Sequence, residues 1–153
     1  MKSIVFEAPI KKMLELGLPV ALGTDGTRVA GYNPWIALYW ITTGKTIGDI
    51  QVMSKANVLD RTTALKLMTI GGYALIKEQL KGKIQKGYFA DLVILDKDYF
   101  SIPEDAIKTI VSKLTILDGK VVYGDKDYKS VAPATLPVIP SWSPVKYYGG
   151  YQH

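Results

Sequence analysis

The chain has no cysteine and a single histidine, His153, the last of its 153 residues. Without cysteine there can be no disulfide, no thiolate metal site and no cysteine nucleophile. A metal held by this polypeptide would need oxygen ligands or histidines from elsewhere. Long apolar runs are also missing: no stretch approaches the roughly 20 residues that span a bilayer. The opening Met1-Lys2-Ser3-Ile4-Val5-Phe6-Glu7 meets charge too soon for a signal peptide. No membrane partner and a cytoplasmic location are therefore expected. Arginine is confined to Arg28 and Arg61, and the lysines, which supply most of the basic charge behind the +5 net charge, are dispersed from Lys2 to Lys146 rather than massed in one run. A nucleic-acid reader concentrates its basic residues on one face, so no nucleic-acid partner is expected.

What is present is a 48% apolar chain, enough for a core. Ile10, Met13, Leu14 and Leu16 fall near helical spacing over residues 8–17, and Gly17 ends the pattern. Pro19-Val20-Ala21-Leu22 then reads as a short strand that presents Asp25 on the turn Gly23-Thr24-Asp25-Gly26. After a loop rich in glycine and small polar residues, Asn33-Pro34 has the order of a cap and a first-turn proline. They open Trp35–Ile41, a segment apolar on all sides and therefore predicted to be a buried helix. Asp60 is the expected cap of a second helix over 61–70 with Ala64, Leu65, Met68 and Ile70 on its buried stripe, which Gly71-Gly72 should break or bend.

Beyond Lys81-Gly82-Lys83 the pattern changes to short strands. Ala90–Asp96 is nearly continuous apolar sequence, which predicts burial on both faces. Leu114–Leu117, Asp118-Gly119 and Lys120–Tyr123 form a hairpin signal, because Asp-Gly supplies the positive φ of a type I′ turn. Between them, 103–108 reads as a short helix capped by Ser101. The stretch from Ala132 onward, with Pro133, Pro137, Pro140, Pro144, Trp142, Tyr147, Tyr148 and Tyr151, is expected to be irregular and laid over a surface.

Taken alone, an Asp before Gly at a strand end is an ordinary turn residue whose side chain bonds nearby backbone. The order of segments says more. Gly23-Thr24-Asp25, then Asn33-Pro34 and a helix, then a helix capped at Asp60, then Gly87-Tyr88-Phe89-Ala90-Asp91-Leu92-Val93-Ile94-Leu95-Asp96, then Asp118–Tyr123 resembles the end of amidohydrolase-superfamily enzymes, in the branch called amidohydrolase family 3. The resemblance implies an α/β fold: the last βα unit or units of a TIM-type (β/α)8 barrel over 1–80, part of a small β-sandwich over 81–130, and a proline- and aromatic-rich tail over 131–153. It makes Asp25, at the C-terminal end of a barrel strand, a catalytic general base and metal ligand. Thr24, Arg28 and Asn33 on the same loop become substrate-binding candidates. The cofactor implied is a divalent metal, zinc by expectation, in the full-length enzyme and not on this chain alone. The substrate implied is a small amide-like molecule whose carbon–nitrogen bond is hydrolysed.

The family's histidine ligands and middle lysine or glutamate have no counterpart in residues 1–152, and one carboxylate cannot hold a catalytic zinc, which takes three protein ligands. A full barrel needs ~250 residues. The isolated chain is therefore expected to be a C-terminal portion without activity, and to form a homo-oligomer that covers its open edges. The alternative is a non-catalytic binding or structural module that keeps the hydrolase framework. Asp91 and Asp96 could pass for a carboxylate pair but are expected to mark the ends of a structural strand. Trp35, Tyr39 and Trp40 are assigned to packing in preference to a substrate pocket.

Overall fold

A computed structural model describes residues 7–26 and 31–134. Its central rod is α2, Pro34–Thr43. The start follows from its first two residues. Asn33 accepts a hydrogen bond from the Trp35 N–H at 2.9 Å through Oδ1, and Pro34 occupies the first turn, where no donor is needed. The stop comes at Gly44, whose φ of 74° is the left-handed conformation that favours glycine, and whose N–H returns to the Trp40 carbonyl at 2.7 Å. Trp35, Leu38, Tyr39, Ile41 and Thr42 are buried, as expected of a helix without a polar face. The core closes around them with Met53, Leu59, Ala64, Leu67, Tyr99, Ile107 and Ile110. The 3-10 turn Glu104–Thr109 lies along α2. It has no side-chain cap: Pro103 precedes it, and Ser101, the expected cap, instead reaches the carbonyl of Asp98 at 3.5 Å.

The shorter α1, Ile10–Glu15, is held at its start by buried Asn57, which accepts from the Lys11 N–H and donates to the Ala8 carbonyl. Gly17, at φ 70°, ends it. Asp60 caps α3, Arg61–Lys66, by accepting from Thr63 at 2.9 Å. The pair Gly71-Gly72 does not break the helix. The chain passes from α3 through a π-helical turn, Leu67–Gly71, into α4, Gly72–Leu75, with both glycines in right-handed helical conformation. Bend signals in sequence concern backbone freedom; here a neighbouring segment needs the space a side chain would take. Arg61 ties the helix to the loop beyond, donating to the Tyr99 and Ile102 carbonyls at 2.6 and 2.7 Å.

The sheet is antiparallel, in the order β1 (Leu92–Leu95), β2 (Ser112–Leu117), β3 (Lys120–Gly124). Leu92 faces Ile116 and Ile94 faces Leu114 across the first pair; Leu117 faces Lys120 across the hairpin. Asp118 and Gly119 have φ of 49° and 74°, the two positive values the turn demands. Two expectations fail here. β1 is not buried on both faces, for Val93 and Ile94 are 47% and 43% exposed. An apolar run shows that a strand can be covered, whereas the covering layer must come from other chain. Second, Pro19–Leu22 joins no ladder; it is a single backbone pass against the helix, with the Leu22 N–H donating to the Leu67 carbonyl at 3.1 Å. The described residues are thus a small α/β arrangement whose one named sheet is antiparallel.

Candidate functional site

Asp25 is exposed, at a φ of 47°. That conformation is uncommon outside glycine, and Asp is among the few residues that tolerate it. The turn is tight on its inner side: a β-carbon at Gly26 would lie 3.0 Å from the Tyr32 Cα and 3.2 Å from the Thr24 hydroxyl. Gly26 thereby lets the outgoing and returning arms of the loop close, with Thr24 and Asp25 on one arm and Asn33 on the other. Thr24 and Asn33 are half-buried, and the Oδ1 of Asn33 serves as the helix cap. Arg28 and His153 lie outside the described residues. The clefts over Tyr73, Lys81 and Tyr88 include none of Thr24, Asp25 or Asn33.

No three His, Cys, Asp or Glu side chains converge to hold a metal ion among the described residues. The residues described here therefore do not fit a catalytic metal by themselves, since Asp25 contributes one ligand where three are needed. Asp91 and Asp96 are engaged in the framework. Asp91 accepts from the Asp118 N–H at 2.8 Å and so ties β1 to the hairpin turn. Asp96 accepts from the Val111 N–H and from Lys97, each at 2.8 Å. Burial opposes its ionisation, but those hydrogen bonds outweigh it and hold the carboxyl below the ordinary carboxylate range. The aromatic group packs: Trp35 is buried with its ring 5.7 Å from that of Tyr99, and Trp40 lies against the core. Burial pushes the Tyr99 hydroxyl up to about 12, against the pull of the Arg61 charge.

A polar cluster that no short-range pattern signals lies under α2. The fully buried Tyr39 has its hydroxyl 2.5 Å from Asp49 Oδ1 and 3.2 Å from Asp105 Oδ1. Lys108 pairs with Asp49 at 2.7 Å and sits 4.8 Å above the Tyr39 ring; Lys45 lies 3.6 Å from Asp105. Burial, then the two carboxylates, push the Tyr39 hydroxyl far above the ordinary phenol range. It is therefore a neutral donor that joins α2, the loop after it and the 3-10 turn.

Residues 2–123 match the family model described as the amidohydrolase family, and the chain belongs to that family. Among curated relatives, the 5-methylthioadenosine/S-adenosylhomocysteine deaminase of Thermotoga maritima is 31% identical over 135 residues, covering 81% of this chain and 31% of the relative. The enzyme of the same name from Desulfovibrio desulfuricans is 30% identical, covering 77% and 28%. A putative amidohydrolase of Bacillus subtilis, YtcJ, is 39% identical over 61 residues, covering 39% of this chain and 12% of that protein. The chain thus spans about a third of the length of the deaminases it matches. No solved structure matches it significantly.

Proposed function

We propose that this chain is the C-terminal portion of an amidohydrolase-family enzyme that hydrolyses a non-peptide carbon–nitrogen bond in a small, amide-like molecule. The observation that carries the reading is the exposed Asp25 on its tight turn, inside a segment that matches the family. Relatives named as deaminases support carbon–nitrogen hydrolysis, since deamination by water breaks such a bond. In this reading residues 1–80 belong to the barrel, 81–130 to the small β-sandwich, and 131–153 to the tail. Asp25 accepts the proton of the attacking water, and Thr24, Arg28 and Asn33 contact substrate. A divalent metal, zinc by expectation, belongs to the complete enzyme, and the described residues of this chain do not assemble its ligand set.

Two measurements test it. In the complete enzyme, Asp25→Asn should lower kcat by about a hundredfold or more, the usual contribution of a positioned general base; near-normal turnover would remove Asp25 from the mechanism. The purified chain, incubated with excess Zn²⁺ and desalted, should retain no stoichiometric metal by elemental analysis. Metal retained by the wild type and lost in Asp25→Ala would mean that groups outside the described residues complete a site within this chain or its oligomer.

A further inference from the structure

We propose that the π-helical turn Leu67–Gly71 is the element that positions the Asp25 segment, with the Leu67 carbonyl as anchor and Gly71 as the residue that admits the neighbouring backbone. The inference rests on the reading of Asp25 as the reactive group and assigns the residues that hold it in place.

The helix Arg61–Leu75 is continuous, and its register changes at Leu67 from the α to the π pattern. Such a change upsets the i→i−4 ladder, so carbonyls near the join need other donors. Both kinds of substitute are present. The Thr69 hydroxyl donates to the Leu65 carbonyl at 2.8 Å, and the Leu22 N–H donates to the Leu67 carbonyl at 3.1 Å. The second bond crosses from the helix to the backbone three residues before Asp25. Through it the described backbone ties the stretch before Asp25 to the helix.

Steric contact reinforces that bond. A β-carbon on Gly71 would stand 2.7 Å from the Val20 carbonyl oxygen and 3.4 Å from the Ala21 Cα. The first distance is below what carbon and oxygen tolerate, and both partners are backbone. An alanine at 71 must therefore push Val20-Ala21 off the helix, taking Leu22 out of reach of Leu67 and carrying Asp25 with it. Gly72, one residue on in the same helical conformation, faces open space. On its other side the turn meets Gly82, where a β-carbon would lie 3.1 Å from the Thr69 and Ile70 backbone. The π-turn is thus clamped between the Asp25 segment and the lead into the sheet, and its placement sets theirs.

Amide hydrogen exchange and ¹⁵N NMR on the full chain test the proposal, with Gly71→Ala compared against Gly72→Ala. The two substitutions raise helix propensity alike, so only the contact differs. Gly71→Ala should speed exchange of the Leu22 amide by about fivefold or more, the equivalent of one lost hydrogen bond. It should also move the Asp25 amide resonance, while α2 amides keep their protection. Gly72→Ala should leave Leu22 and Asp25 as in the wild type. Unchanged Leu22 and Asp25 signals in Gly71→Ala, or equal changes in both variants, would overturn the proposal. Should Gly71→Ala fail to fold, the wild type suffices: Leu22 should open together with the amides of Leu67–Gly71 as denaturant is raised, and independent opening would overturn it. None of these readouts depends on turnover, so they stand or fall separately from the kinetic test of Asp25→Asn.

Discussion

Tyr39 shows how one side chain can join segments far apart in sequence. Its phenol is buried, and the two carboxylates that meet it arrive from a loop 10 residues away and a 3-10 turn 66 residues away. Tyr39→Phe keeps the ring and removes the donor, leaving Asp49 and Asp105 without their shared partner. The expected cost is about 1–2 kcal/mol, read as a lower urea midpoint with an unchanged m-value. The pH dependence has a defined sign. Lys108 first, then Tyr39, holds the Asp49 carboxyl below its ordinary value, and Thr63 does the same for Asp60. A carboxyl lowered by folding stabilises above its unfolded pKa of about 3.9, and the contribution disappears as pH falls through the folded value. Urea midpoints from pH 7 downward should thus be flat to about pH 4 and then drop. The drop should be shallower in Asp49→Asn.

The helices and the hairpin were legible in sequence because their ends carry local chemistry. Asn33-Pro34, Asp60 and Asp118-Gly119 each do their work within three residues, and each stands where its pattern predicts. Removing one has a local cost: Asp60→Ala deletes the cap of α3 and should destabilise by about 1 kcal/mol, measurable by chemical denaturation. Gly44→Ala should cost more, because the residue needs positive φ and a β-carbon there would meet the Gln51 amide and, at 2.8 Å, the Met53 carbonyl. A loss above about 2 kcal/mol is expected, and a smaller one would show that the 44–53 loop yields easily. The π-turn was not legible. Gly71-Gly72 reads as a breaker, and only the approach of Val20 explains why the helix continues with glycine at 71.

At the scale of the whole molecule, the main cluster of buried residues gathers on α2, α3 and residues 99–110, and the sheet reaches it through Leu95. Val93, Ile94, Leu117 and Val122 are substantially exposed, and Ile84, in the lead to the sheet, is 90% exposed. The β1 edge has no lysine or proline to discourage pairing with another strand. Apolar surface of this kind on a member of a family whose relatives are about three times as long is the reason to expect self-association of the isolated chain. Light scattering should show a mass that rises with concentration, and Val93→Lys should suppress the rise. A strictly monomeric profile at high concentration would overturn that expectation. Among the described residues, no helix is long and apolar enough to cross a membrane.

The order of motifs in the sequence was sufficient to place the chain in its family, because strand, turn and cap signals act over a few residues and survive without their partners. What covers a strand, what fills the space beside a glycine and which carboxylates share a buried hydroxyl depend on segments tens of residues apart. Only the tertiary structure decided that β1 lies half open, that Pro19–Leu22 rests on a helix instead of in a sheet, and that Tyr39, Asp49, Asp105 and Lys108 meet. The physical reason is range: caps and turns are satisfied by neighbours in the chain, whereas burial and charge pairing are satisfied by neighbours in space.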